Sequence, residues 1–116
     1  MKRMLMIAAV LAGVAGASWA GIYAYPNPWI PEDVRPNRGT LAEGITFTNI
    51  PAGASGDLYI YTMAGNLVSH ISFVTSSGKE KWMGTNDDGQ YVASGVYLWV
   101  ITIGAEKTTG KIIVVR

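Results

Sequence analysis

The chain contains no cysteine. Disulfide staples are therefore excluded, and so is a lipid anchor attached through a cysteine, which leaves the apolar core to supply stability. There is one histidine, His70. It has no cysteine or Asp-Ser partner, and a Ser-His-Asp arrangement would need convergent geometry that turn-clustered serines do not suggest. It reads as a solvent-facing strand residue. Charge of one sign is lacking too: the formal net charge is +1, and without Lys2 and Arg3 the 9 basic residues become seven, against 8 acidic ones. Clustered Lys and Arg, the footprint of a nucleic-acid binder, are missing. Helical periodicity is the last absence, since no stretch of about eleven residues repeats apolar positions at three-and-four spacing. The 14 glycines and 5 prolines interrupt every long run.

What is present begins with an export signal. Met1-Lys2-Arg3 is a short positive start, residues 4–14 are apolar, and Ser18-Trp19-Ala20 places small residues at the two positions a signal peptidase reads. The apolar run is shorter than the ~20 residues that span a bilayer. Residues 1–20 are expected to be a cleaved signal peptide and 21–116 a single mature domain with no membrane span. A chain of that size buries enough apolar surface to fold alone.

Short β-rich runs separated by turn residues fill the rest, the pattern of an antiparallel sandwich. The first expected strand, 22–25, is stopped by Pro26-Asn27-Pro28, and a polar, proline-bearing loop follows over 29–42. The second, 44–50, alternates Ile45, Phe47 and Asn49 against Thr46, Thr48 and Ile50. The third, 57–62, puts Leu58 and Ile60 on one face and Tyr59 and Tyr61 on the other; Ala64-Gly65-Asn66 turns it into the fourth, 67–74. Val68 and Ile71 stand three apart, so both reach the core only if that strand carries a bulge or added twist. A short fifth strand, 80–83, carries Trp82, and the sixth, 96–103, turns through Gly104-Ala105-Glu106 into the seventh, 108–115. The expected fold class is all-β: an Ig-like antiparallel β-sandwich of about seven strands.

Between the fifth and sixth strands lies Asn86-Asp87-Asp88-Gly89. Three oxygen-bearing side chains in a row invite a calcium reading. A loop of the EF-hand kind, however, alternates its ligands and delivers a carboxylate several residues later, whereas the next acidic residue here is Glu106. Asp-Gly is a strong turn signal, because glycine accepts positive φ and aspartate bonds its own backbone. The segment reads as a turn, with weak calcium binding by Asp87 and Asp88 as the alternative. Adjacent carboxylates in a turn diverge, which removes them as an acid–base pair. No catalytic residue, cofactor or metal is expected.

The same stretch carries a family resemblance. Trp82-Met83-Gly84, Asn86, Asp88-Gly89, Val92 and Ser94-Gly95-Val96-Tyr97 resemble the W-D-G-x-D-x-x-G-x-x-V-x-S-G-V-Y block of the type IX secretion C-terminal sorting domains (type A), which are related to the Ig-like module of the flagellar hook-capping protein. Tyr25-Pro26-Asn27-Pro28 resembles the family's opening Y-P-N-P, and Ile45-Thr46-Phe47 up to Ile50-Pro51 its I-x-F-x-x-L-P. Residues 58–68 resemble its V-x-I-Y-x-x-x-G-x-x-V, and Lys111-Ile112-Ile113-Val114-Val115-Arg116 its basic, strand-like C-terminus. Met83 stands where the family often has Asp, Trp29 where Phe is common, and the loop over 30–42 is longer. The five pieces keep the family's order across 21–116. The resemblance implies a non-catalytic β-sandwich that serves as an address. Such a domain is exported across the inner membrane, read by the outer-membrane translocon, and in some proteins clipped as cargo is anchored to surface lipopolysaccharide. Read as starting directly after its signal, this domain would carry no cargo. It would then be a stand-alone machinery component, an exported surface subunit or a fragment of a longer gene.

Two surfaces are candidates for recognition. On the sixth strand Tyr97, Trp99, Ile101 and Ile103 share one face, and Val96, Leu98 and Val100 the other. Only one face of a strand in a two-layer sandwich meets the core. The second must be covered by loop residues such as Trp29, be covered by a partner, or form a docking surface, for which Tyr97 and Trp99 are the named residues. The second candidate is the closing strand, with Lys111, Ile112, Ile113, Val114, Val115 and Arg116. At a sheet edge its free backbone groups would accept another strand, or its two basic residues would simply discourage aggregation. The expected partner is a protein, either outer-membrane secretion machinery or further copies of the chain as a homo-oligomer, in the periplasm, at the cell surface or outside the cell. A filament subunit is the alternative reading, and a carbohydrate module using Trp29, Tyr59, Tyr61 and Trp99 the second.

Overall fold

Glycine and asparagine at positive φ mark where this chain reverses, and the runs between them become strands. The computed structural model of the chain describes residues 21–32 and 43–116; the expected signal peptide and most of the loop over 30–42 lie outside them. Seven strands form: β1 (Tyr23–Tyr25), β2 (Ile45–Thr48), β3 (Ser55–Thr62), β4 (Leu67–Val74), β5 (Glu80–Trp82), β6 (Gly95–Ile103) and β7 (Glu106–Val114). Those are the seven expected strands with some ends moved by one or two residues. β2 stops short because Asn49 takes a φ of 65° and donates its side-chain amide to the Gly21 carbonyl at 3.0 Å. The β6–β7 hairpin has a two-residue loop with Gly104 first at φ 60°, the type II′ arrangement whose twist matches its strands.

Two antiparallel sheets result, β1-β2-β5 and β4-β3-β6-β7, so the fold is an all-β sandwich. Among the described residues no helix is long and apolar enough to cross a membrane. The two local hairpins of the larger sheet join through the β3–β6 ladder, which pairs Leu58 with Ile101 and Ile60 with Trp99. Alternation then carries Leu58, Ile60, Tyr97, Trp99, Ile101, Ile112 and Val114 into one core with Ile45, Phe47 and Trp82 of the smaller sheet. Two edge-to-face aromatic pairs tie the layers: Phe47–Trp99 at 5.2 Å and Trp82–Tyr97 at 6.0 Å. The β3–β4 register slips between Ile60 and Tyr61, leaving Val68 as the extra residue. This is the expected bulge, and it lets both Val68 and Ile71 pack on the core.

Trp29 corrects one expectation. It does not cover the second apolar face of β6. Its backbone bridges Val114 in parallel, and its indole is buried in the main core against Gly84. The second face is covered from within the sheet, where Leu98 and Val100 cluster with Tyr61, and Tyr59 and Leu67 pack beside them.

Candidate functional site

The closing strand is an outer strand of the larger sheet, as one reading required, but half of its edge is already occupied. Odd-numbered residues of β7 turn their backbone groups outward. The side-chain amide of Asn27 copies a peptide group against them: its Oδ1 accepts from the Ile113 N–H at 3.0 Å and its Nδ2 donates to the Lys111 carbonyl at 3.0 Å. The backbone continues the imitation, with Trp29 N–H donating to Ile113 O at 2.7 Å and Val115 N–H to Trp29 O at 2.9 Å. Both peptide bonds preceding Pro26 and Pro28 are cis. The Tyr25-Pro26-Asn27-Pro28 stretch is thus an edge cap. Among the described residues, no hydrogen bond is added at the outward groups of Lys107 and Thr109, and that part of the edge remains open.

Arg116 is held rather than loose. Its N–H donates to Ser94 Oγ at 2.8 Å, and one guanidinium nitrogen to the Val92 carbonyl at 3.3 Å. The guanidinium lies 5.0 Å over the Tyr91 ring, within cation–π range, with the Glu32 carboxylate 3.7 Å away. Lys111 is exposed on β7. Ile113 and Val115 are half-exposed, whereas Ile112 and Val114 belong to the core.

The Tyr97 and Trp99 surface is not available for docking as expected. Tyr97 is 7% exposed and Trp99 3%, because their face of β6 is the inner one; Tyr97 spends its hydroxyl on the Ala93 carbonyl at 2.7 Å. Both faces of β6 are apolar, so alternation alone did not say which was inner. Carbohydrate stacking loses its platform on the same grounds, since Trp29, Tyr61 and Trp99 are all buried. The ring faces of Tyr59 are occupied by His70 at 4.5 Å and Tyr61 at 6.2 Å.

Asn86-Asp87-Asp88-Gly89 forms a turn closed by Asn86, whose Oδ1 accepts from the N–H groups of Asp88 and Gln90, each at 2.9 Å. It also caps the opposite edge of the sheet. The bulge leaves the Val68 carbonyl pointing outward, and the Asp87 N–H donates to it at 3.1 Å; Asp87 Oδ1 accepts from the His70 N–H at 3.1 Å. Among the described residues no group of three or more His, Cys, Asp and Glu could hold a metal ion. Beside this cap His70 is exposed, as expected, but partnered: its Nε2 and the Ser72 hydroxyl both meet Asp57 Oδ1 at 2.8 Å. Those bonds, His70 first and Ser72 second, hold the Asp57 carboxyl below its ordinary range. Burial, with Asp57 second, pushes the Tyr59 hydroxyl up. The carboxylate stands in the middle of this trio, so Ser72 donates to a weakly basic carboxylate and not to the imidazole. That order does not activate a nucleophile.

No protein-family model matches the chain, and no curated protein does. Two solved structures are similar. One is of PorZ, an essential bacterial surface component of the type-IX secretion system of Porphyromonas gingivalis. It has a TM-score of 0.60 at 27% identity, over 90% of this chain and 12% of that one. The other is dimeric latent PorU from Porphyromonas gingivalis, with a TM-score of 0.52 at 24% identity, over 81% of this chain and 9% of that one; it adds the fold alone. The chain therefore spans about a tenth of the length of each protein, and is related in structure to a part of a type IX secretion surface component.

Proposed function

We propose that the chain is a non-catalytic, exported Ig-like domain that acts in type IX sorting, secretion or cell-surface attachment by recognising protein. The observation that supports this most is the likeness to PorZ over 90% of the chain. The recognition surface is the β7 edge and its outer side: the open backbone at Lys107 and Thr109, the exposed Lys111, half-exposed Ile113 and Val115, and the clamped Arg116. An open edge gives backbone hydrogen bonds, while flanking side chains choose among partners. The apolar start of the sequence is the export signal, and the working place is the periplasm, the outer-membrane surface or the exterior.

The test is to fuse residues 21–116 behind a reporter carrying an export signal, in a host that possesses type IX secretion. The reporter should reach the cell surface or medium, and a paired Lys111→Glu, Arg116→Glu variant should leave it in the periplasm. A wild-type fusion that stays periplasmic overturns the proposal.

A further inference from the structure

β4, the other outer strand of the larger sheet, differs from β7 in two respects. Its sequence, LVSHISFV, has no Lys, Arg, Asp, Glu or Pro, the residues with which edges usually discourage other strands. Its cap is also partial, because Asp87 takes the Val68 carbonyl and the His70 N–H and nothing further along. The backbone of Thr75 is engaged with Gly53 and Ala54 on the β3 side, so alternation turns the backbone groups of Ser72 and Val74 outward with those of His70. Among the described residues no hydrogen bond reaches the outward His70 C=O or the outward N–H and C=O of Ser72 and Val74. The four groups of Ser72 and Val74 read the same from either end, with Phe73 at their centre.

We infer that β4 is a self-docking edge, on which a second copy of this chain pairs its own β4 antiparallel about Phe73. Each Ser72 exchanges N–H···O=C bonds in both directions with Val74 of the other copy. The next outward N–H, that of His70, is already held by Asp87. β4 ends at Val74, so the pairing stops one step short of His70, where the Asp87 turn stands. The cap therefore sets both the register and the length of the pairing. The strand is uncharged, so two copies meet without repulsion. Val74, 78% exposed, gains cover beside the other copy's Ser72. The two four-stranded sheets become one continuous sheet, and β7 stays outside the contact, so this association and the recognition proposed for β7 can fail independently.

Sedimentation velocity of the purified protein from micromolar to millimolar concentration tests the inference. The wild type should pass from monomer to dimer, and the amides of Ser72 and Val74 should gain protection from hydrogen exchange as it does. Ser72→Pro removes one of the two donors each copy supplies, at an edge position whose N–H faces out, where proline is tolerated. Val74→Lys places a charge in the contact on a side chain too exposed to matter to folding. Each should weaken dimerisation by at least about tenfold, while Lys111→Ala on the opposite edge should leave it unchanged. A wild type that stays monomeric throughout, or a folded Val74→Lys variant that dimerises as well as wild type, overturns it.

Discussion

Gly84 takes a φ of 77°, and the Trp29 ring lies directly over the position a Cβ would occupy. Two penalties coincide there, left-handed backbone and an immovable neighbour in a packed core, so Gly84→Ala should cost about 3 kcal/mol in urea unfolding. Gly89 has nearly the same φ, 82°, with nothing within 4 Å; Gly89→Ala should cost only about 1–2 kcal/mol, the backbone part alone. Equal losses at the two sites would mean that Trp29 does not set the requirement. Thr108 is the opposite case. Its buried Oγ1 has no hydrogen-bond partner among the described residues, so Thr108→Val should raise stability by about 1 kcal/mol, read as a higher Tm. At Asp57 the effect depends on pH. Its folded pKa lies below the ordinary value of 3.8, through the His70 bond first and Ser72 second. The stabilisation is therefore complete above that ordinary value and is lost as pH falls through the lower, folded one. With the pair 39% and 36% exposed, its worth is small, so the sharper readout is a proton titration by NMR, in which His70→Ala should return Asp57 towards its ordinary range.

Strands in this molecule are defined by pattern, but their edges are defined by loops. Asn27 makes two bonds to β7 that a peptide group would make, and the two available substitutions separate them. Asn27→Ala should lose both, speeding amide exchange at Ile113 and costing roughly 1–2 kcal/mol. Asn27→Asp should keep the acceptor for the Ile113 N–H, and with it that amide's protection, while still destabilising because a carboxylate oxygen then faces the Lys111 carbonyl. This edge role marks the limit of what the amino-acid order discloses. All seven strands were legible, because period-two alternation and Gly-bearing turns are local signals, and the three-residue step from Val68 to Ile71 disclosed the bulge. Which face of β6 was inner was not legible, since Tyr97, Trp99 and Ile101 are no more apolar a row than Val96, Leu98 and Val100. The caps were not legible either. Asn27 and Ile113 stand 86 residues apart, and nothing in a Pro-Asn-Pro stretch says which edge it will cover. Asp87 was correctly placed in a turn, yet its grip on β4 depends on where the bulge aims the Val68 carbonyl, a property of the assembled sheet.

At the scale of the whole molecule the two sheets are unequal partners. β1, β2 and β5 have three, four and three residues, too few to stand as a sheet without a packed face. Phe47 and Trp82 supply that face, through their ring contacts with Trp99 and Tyr97 of the larger sheet. The smaller sheet can therefore persist only while the larger one is folded, and the larger sheet would in turn expose Tyr97, Trp99 and Ile101 if the smaller one left. Unfolding should accordingly be a single cooperative step. Loss of tryptophan fluorescence, which reports on the buried Trp29, Trp82 of β5 and Trp99 of β6, should follow the same urea curve as far-UV circular dichroism. Phe47→Ala opens a cavity at the junction and should cost about 3–5 kcal/mol, a large part of the ~5–15 kcal/mol that holds a small domain together. The informative outcome is how that loss is distributed. If the sheets depend on each other, the variant shifts both signals to lower urea together and keeps the same slope. If the smaller sheet is an appendage, fluorescence shifts alone and circular dichroism keeps its midpoint, and the sandwich would have to be regarded as a four-stranded sheet with a detachable cover.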